Sequence, residues 1–278
     1  MNQFSYSRRG AAQWRRRLTL FATLATAAGC STAVQTGEEP SPETSAAPSI
    51  PTARQLVREM HDRYSGNWYS TLRFAQTNTF YTQAGKEETS RWVENLSVPG
   101  KLRIDFEPLA SKSGLLILNN RVTTFDNGRK IDTRRSIQPI LTLTADVYAI
   151  PSAVTIRRLD SLNIDLDKVR TAKLDNKPVY VVGANDGDLE SNQIWIDADR
   201  LLLVRIIQQN KTGARTVVTD TRVADYRDID GFPVAHRYMS SRDGKPYFRE
   251  QYENVRVNAR VPAGIFDASR WGSVDPDA

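Results

Sequence analysis

The chain has 278 residues, 38 basic and 32 acidic side chains, two histidines and a single cysteine. One cysteine excludes an internal disulfide, so a folded domain here must hold by packing. Five arginines (Arg8, Arg9, Arg15, Arg16 and Arg17) crowd the start, and without them 33 basic residues face 32 acidic ones. The pI of 9.5 then lends little support to nucleic-acid binding, and no nucleic-acid partner is expected.

Those arginines read as the basic region of a signal peptide over residues 1–29. The apolar run Leu18–Ala28 is eleven residues, too short for a spanning helix of about 20 and suited to a signal core. It ends at Ala27-Ala28-Gly29, directly before Cys30, which resembles a bacterial lipobox, with cleavage before the cysteine and a lipid on it. An ordinary signal with an incidental cysteine is the plainer alternative. Arg15-Arg16-Arg17-Leu18 leaves general and twin-arginine export both open. Ser31 after the cysteine, where Asp would retain the protein, points to the outer membrane by the usual sorting rule. Residues 30–51 are rich in Ser, Thr, Ala, Glu and Pro and cannot bury enough apolar surface to offset ordering. They read as the lipidated cysteine and a flexible tether that lets a domain stand off a bilayer.

From Thr52 about 227 residues remain, enough for one large β-domain or two small ones, and residues 52–278 are taken as one. Thr52–Tyr64 opens on a capping residue after Pro51 and sets Leu56, Val57, Met60 and Tyr64 on one helical face. That helix must lie on something apolar. Strands then follow at Thr71–Thr82, Thr89–Val98 and Lys101–Glu107. In the last, Leu102, Ile104 and Phe106 alternate with Lys101, Arg103, Asp105 and Glu107, which predicts one buried face and one in water. Leu115–Leu118 and Val122–Phe125 pair across Asn119-Asn120, and Asp126-Asn127-Gly128 makes the next turn. The rhythm breaks from Pro139 to Val169, where two short helices are predicted, split near Pro151.

Strands resume at Lys168–Leu174 and Pro178–Gly183, followed by the hairpin Gln193–Asp197 and Leu201–Ile207. Period-two alternation puts Leu202, Val204 and Ile206 on one face of its second arm, and Leu201, Leu203, Arg205 and Ile207 on the other. Arg215–Tyr226, Val234–Met239 and Tyr247–Val257 complete the strands, with Phe266 and Trp271 as edge anchors in the tail. Roughly eleven strands joined by short turns make an antiparallel meander. A sheet that wide curls. The expected fold is mainly β with a few helices, the meander curled into an incomplete, half-open β-barrel under a helical lid. A two-sheet sandwich is the alternative.

Residues for chemistry are sparse. His61 and His236 lie on different elements, and without further ligands no metal site is expected. No Gly-x-Ser-x-Gly elbow stands at a strand–helix junction, and no glycine loop follows a strand to cradle phosphate. Asn185-Asp186-Gly187-Asp188 lacks the glutamate of a calcium loop and reads as a turn. No cofactor and no catalytic residue is expected. The set of apolar residues remains: Trp92, Leu102, Ile104, Phe106, Trp195, Leu202, Val204 and Ile206 are the candidate walls of a cavity for an apolar ligand, with Leu56, Met60 and Tyr64 on the covering helix. Each could equally be ordinary core.

Val98-Pro-Gly-Lys-Leu-Arg-Ile-Asp-Phe106 resembles the Pro-Gly-Lys-(Phe/Leu)-Arg strand of the lipoprotein-carrier family of LolA and LolB. Ile194-Trp-Ile-Asp197 followed by Leu201–Ile206 is similar to that family's Trp-Ile-Asp hairpin. Tyr226–Pro233 and the closing Asn258 to Phe266 resemble the wider LolA-like group, so the likeness spans about Leu56–Phe266. It implies an incomplete barrel closed by a helical lid over a cavity for acyl chains. The carrier of that system is soluble, whereas its outer-membrane receptor is a lipoprotein, as Cys30 implies here. The carrier's lid arginine and the receptor's protruding apolar residue have no counterpart that can be placed. The expectation is therefore a non-enzymatic lipid- or lipoprotein-binding lipoprotein, held in the outer membrane by its lipid and facing the periplasm. Its partners would be acyl chains of lipids or lipoproteins. The alternative, from another class, is an envelope sensor or assembly factor that binds a protein partner.

Overall fold

The computed structural model describes residues 50–82, 84–212 and 215–278; the expected signal peptide, Cys30 and nearly all of the tether lie outside them. Helix α1 (Ala53–Tyr64) is followed by a first meander of β1 (Thr71–Tyr81), β2 (Glu87–Ser97), β3 (Lys101–Phe106), β4 (Gly114–Leu118), β5 (Arg121–Asp126) and β6 (Arg129–Arg135). Helix α2 (Pro139–Thr144), a 3-10 turn at Asp146–Tyr148 and helix α3 (Ser152–Ser161) come next. A second meander holds β7 (Val169–Leu174), β8 (Lys177–Val182), β9 (Gln193–Asp197), β10 (Leu203–Thr212), β11 (Arg215–Ile229), β12 (Phe232–Arg242) and β13 (Lys245–Val257).

The two meanders meet where β1 pairs antiparallel with β13, which makes one sheet in the order 6-5-4-3-2-1-13-12-11-10-9-8-7. Its edges are β6 and β7, unpaired with each other, so the barrel is not closed. The helical stretch runs from one edge to the other. A chain that must cross between the edges of a curled sheet lies over its concave side, and this is why α2 and α3 form a lid. Tight turns set the register: Asn119-Asn120, Asn127-Gly128, Asp175-Asn176, Asp230-Gly231 and Asp243-Gly244 all have both residues at positive φ. That geometry matches the strand twist and selects Asn, Asp and Gly.

Three expectations need correction. Thirteen strands form rather than about eleven. The clearest addition, β6, carries one large apolar residue, Ile131, itself 45% exposed, so no alternation marked it. In β10 a bulge between Leu203 and Arg205 breaks the alternation. Leu203 and Ile206 pack in the main core, whereas Val204 points to the opposite face. Finally, the outer face of β3 is not in water. Arg103 and Asp105 are 1% and 5% exposed and form a bidentate pair at 2.7 and 2.8 Å. The C-terminal tail covers them: Trp271 stacks on Phe125 at 4.2 Å, Arg103 lies 4.1 Å from the Trp271 ring, and Arg103 donates to the Ile265 carbonyl.

A half-filled barrel under a helical lid

Helix α1 begins with a capping box: the Gln55 amide donates to Thr52 Oγ1 and the Thr52 amide to Gln55 Oε1. Its apolar face, Leu56, Val57 and Met60, is buried with Leu159 of α3 against Val182, Ile194, Ile196, Leu203, Ile206 and Val223. Tyrosines fix this cover to the corner between β9 and β10. Tyr64 donates to the Arg200 carbonyl at 2.7 Å and Tyr148 to that of Leu201 at 3.3 Å, while Tyr226, on β11 itself, donates to that of Leu203 in β10 at 2.7 Å. Burial holds all three phenols neutral, well into alkaline pH. Asp146 bolts the other side. Its carboxylate accepts from Arg158 of α3 at 2.7 Å and from the Gly100 amide, at the turn between β2 and β3, at 2.8 Å. Burial raises its pKa, and the Arg158 and Gly100 bonds pull against that rise.

The rest of the concave face is not filled. A cavity of about 280 Å³ lies between α2 and the sheet, walled by β1 to β6 and β10 to β13. That is near the lower bound of ligand pockets, which run roughly 300–1,000 Å³. Ile140, Leu141 and Thr144 of α2 form its roof. Phe74, Phe80, Trp92, Leu96, Leu102, Ile104, Leu115, Ile117 and Phe248 make most of its apolar wall. Two carboxyls share it. Glu94 is 4% exposed, and burial, with the charges of Glu250 and Asp105, pushes its pKa well up. Burial pushes Glu250 up to about 7.

The cavity brings together Trp92, Leu102, Ile104 and Ile206 of the predicted wall; Phe106 packs on Trp92 at 5.0 Å, just outside. Leu202 lies instead in the solid core with Leu56 and Met60. Trp195 and Val204 sit on the outer face with Val179 and Val181, where Arg205 covers the Trp195 ring at 4.6 Å. The bulge in β10 turns Val204 there, and Trp195 pairs directly with Arg205 across the ladder. Leu56, Met60 and Tyr64 cover the filled part, and α2 covers the hollow one. Sequence reasoning missed Phe248, Tyr238 and Tyr252, and both glutamates. The signal was legible: Trp92-x-Glu94-x-Leu96 and Phe248-x-Glu250-x-Tyr252 each set one acid on an otherwise apolar stripe.

Neither histidine heads a site. His61 Nδ1 lies 3.1 Å from the Val147 carbonyl, and His236 is buried with Nδ1 2.9 Å from the Val234 carbonyl. Among the described residues there is no cluster of three potential metal ligands, and no helix is long and apolar enough to cross a membrane. The stretch 185–188 is a turn in which Asp188 caps the Glu190 and Ser191 amides.

An open antiparallel half-barrel with a helical lid over an apolar interior is an architecture that solved structures share. A domain named for outer-membrane lipoprotein sorting, from Vibrio parahaemolyticus, matches with a TM-score of 0.51 at 12% identity, over 78% of this chain and 96% of that one. A DUF1329 family protein from Desulfovibrio piger matches at 0.54 and 15% identity, over 79% and 97%. A LolA superfamily protein from Nitrosomonas europaea scores 0.48 at 13% identity, over 78% and 97%. The fold is shared with the Vibrio and Desulfovibrio proteins, both above a TM-score of 0.5. No sequence-family profile matches the chain, and no curated protein matches it by sequence.

Proposed function

We propose that this chain is a non-enzymatic envelope lipoprotein that holds acyl chains, of a lipid or of an acylated protein, between its sheet and helix α2. It would serve lipoprotein sorting or lipid handling at the outer membrane, facing the periplasm, with Cys30 carrying the lipid and residues 31–51 as tether. The observation that carries the reading is the cavity of about 280 Å³ walled by Phe, Trp, Leu and Ile under a lid that spans an unclosed sheet. A closed barrel would have no such gap to cover. The fold shared with a domain named for lipoprotein sorting supports the same reading. For the anchor, the intact mass of the mature protein should show acylation at Cys30, lost in Cys30→Ser; an unmodified Cys30 would end that part of the proposal.

The ligand test uses the purified chain with Cys30→Ser, so that no anchor competes, and an uncharged fluorescent acyl ester as probe. The parent should bind the probe. Ile117→Trp, which places an indole in the cavity, should weaken binding about ten-fold, roughly 1.4 kcal/mol, with little change in thermal midpoint. In a close-packed interior the same substitution would cost about 1–3 kcal/mol of stability. A parent that binds no probe, together with an Ile117→Trp protein that melts early, would defeat the reading.

A further inference from the structure

The strands that wall the cavity carry buried polar residues beside it. Strand β1 presents Phe74, Gln76, Asn78 and Phe80 on its concave face, and Gln76 and Asn78 are 1% and 0% exposed. Gln76 donates to Asn78 Oδ1 at 3.0 Å, yet Gln76 Oε1, Asn78 Nδ2 and the neighbouring Ser90 Oγ are buried with no partner. Across the ladder Glu94 pairs with Phe74, and Glu250 pairs with Asn78. Among the described residues, neither carboxyl has a hydrogen bond or an ion pair. Unpaired buried polar atoms typically cost about 1–3 kcal/mol each; Gln76, Asn78 and Ser90 stand on the strands that wall the cavity, and Glu94 and Glu250 line it, which marks where a polar ligand group would sit.

Three rings stand beside them. Trp92 and Phe248 lie two residues before Glu94 and Glu250 on the same face, with centroids 6.2 Å apart, and Phe80 packs 4.7 Å from Phe248. Aromatic faces beside carboxyls are the chemistry that receives an organic cation, the more strongly when water is excluded. A fatty carboxylate would instead add a third anion. Arg134 and Arg242 also line the cavity and have interactions of their own. Burial raises both carboxyls, and for Glu94 the charges of Glu250 and Asp105 add to it.

We propose that the occupant is an amphiphile with an ammonium group, its chain under α2 and its cation at Glu94 and Glu250 beside Trp92, Phe80 and Phe248. This names the ligand class of the acyl-binding reading above and rests on it. Binding ionises the carboxyls, so affinity for the amine should rise as pH climbs through about 7, where Glu250 titrates. The groups around that titration are Glu94, Asp105, Tyr238, Tyr252 and the two arginines.

The test titrates dodecylamine, dodecanol and dodecanoate, each below its micellar concentration, into the Cys30→Ser chain at pH 6 and pH 8 by calorimetry. Dodecylamine should bind about ten-fold or more tighter than dodecanol at pH 8, with the gap narrowing at pH 6 and dodecanoate weakest. Glu94→Gln with Glu250→Gln should abolish the gap and leave dodecanol within about two-fold, with the thermal midpoint read alongside. If that protein melts early, Glu250→Gln alone should still halve the gap or more. Equal binding of all three ligands would overturn the ammonium site and leave acyl binding intact. Binding of none would overturn both.

Discussion

The two halves of the concave face are built from one sheet and differ in what lies on them. Over β8 to β11, α1 and α3 press Leu56, Met60 and Leu159 into the sheet at 0% exposure, and the interior is solid. Over β1 to β5 and β13 only the six-residue α2 lies above, and a cavity remains. Both halves are mainly apolar inside, although only the hollow one carries acids, Glu94 and Glu250. The cover decides. The hollow half gains its support from behind instead, where the tail seals the Arg103–Asp105 pair under Trp271. Behind the filled half, Arg205 pairs with Asp220, which is 26% exposed.

Breaking those two rear pairs gives the largest expected contrast. Asp105→Ala leaves Arg103 buried without a counter-charge and should cost about 3–5 kcal/mol. Asp220→Ala, beside water, should cost clearly less, both read from urea midpoints. Equal losses would mean that the hollow half does not depend on its outer seal.

Truncations inside sharpen the same contrast. Leu159→Ala opens a void in the solid half and should cost about 2–5 kcal/mol. Leu115→Ala only widens an existing cavity, so its loss should lie at or below the bottom of that range. If the two proteins unfold at the same urea concentration, the interior is filled throughout.

The smallest effect is in pH. In the unfolded chain Glu94 and Glu250 ionise in the ordinary glutamate range, near pH 4.3; in the folded one both hold their protons longer, Glu250 to about 7. Between those values the native state binds more protons than the unfolded state, so stability falls as pH rises. For Glu250 the loss between pH 5 and pH 8 is roughly 2–3 kcal/mol. Thermal midpoints should therefore drop from pH 5 to pH 8, and Glu250→Gln should flatten the drop. A flat profile in the parent would show the cavity carboxyls to be fully hydrated.

Much of this was legible from local chemistry. The capping pattern at Thr52 and Gln55, the Asn- and Asp-rich turns and the alternation in β3 are near-neighbour effects, so residues a few positions apart specify them. By themselves they determined a wide antiparallel meander with short helices, and the curling followed from its width. Short-range pattern could not reveal that β1 joins β13, a pairing between residues some 175 apart such as Thr77 and Gln251. Nor could it show that a tail would bury Arg103, or that one bulge would turn Val204 outward. Only the tertiary structure decided which half stayed hollow, because that depends on how much helix lies above each part of the sheet. Glu94 and Glu250 became a feature for the same reason: a charge on an apolar stripe gains meaning once the space in front of it is known to be empty.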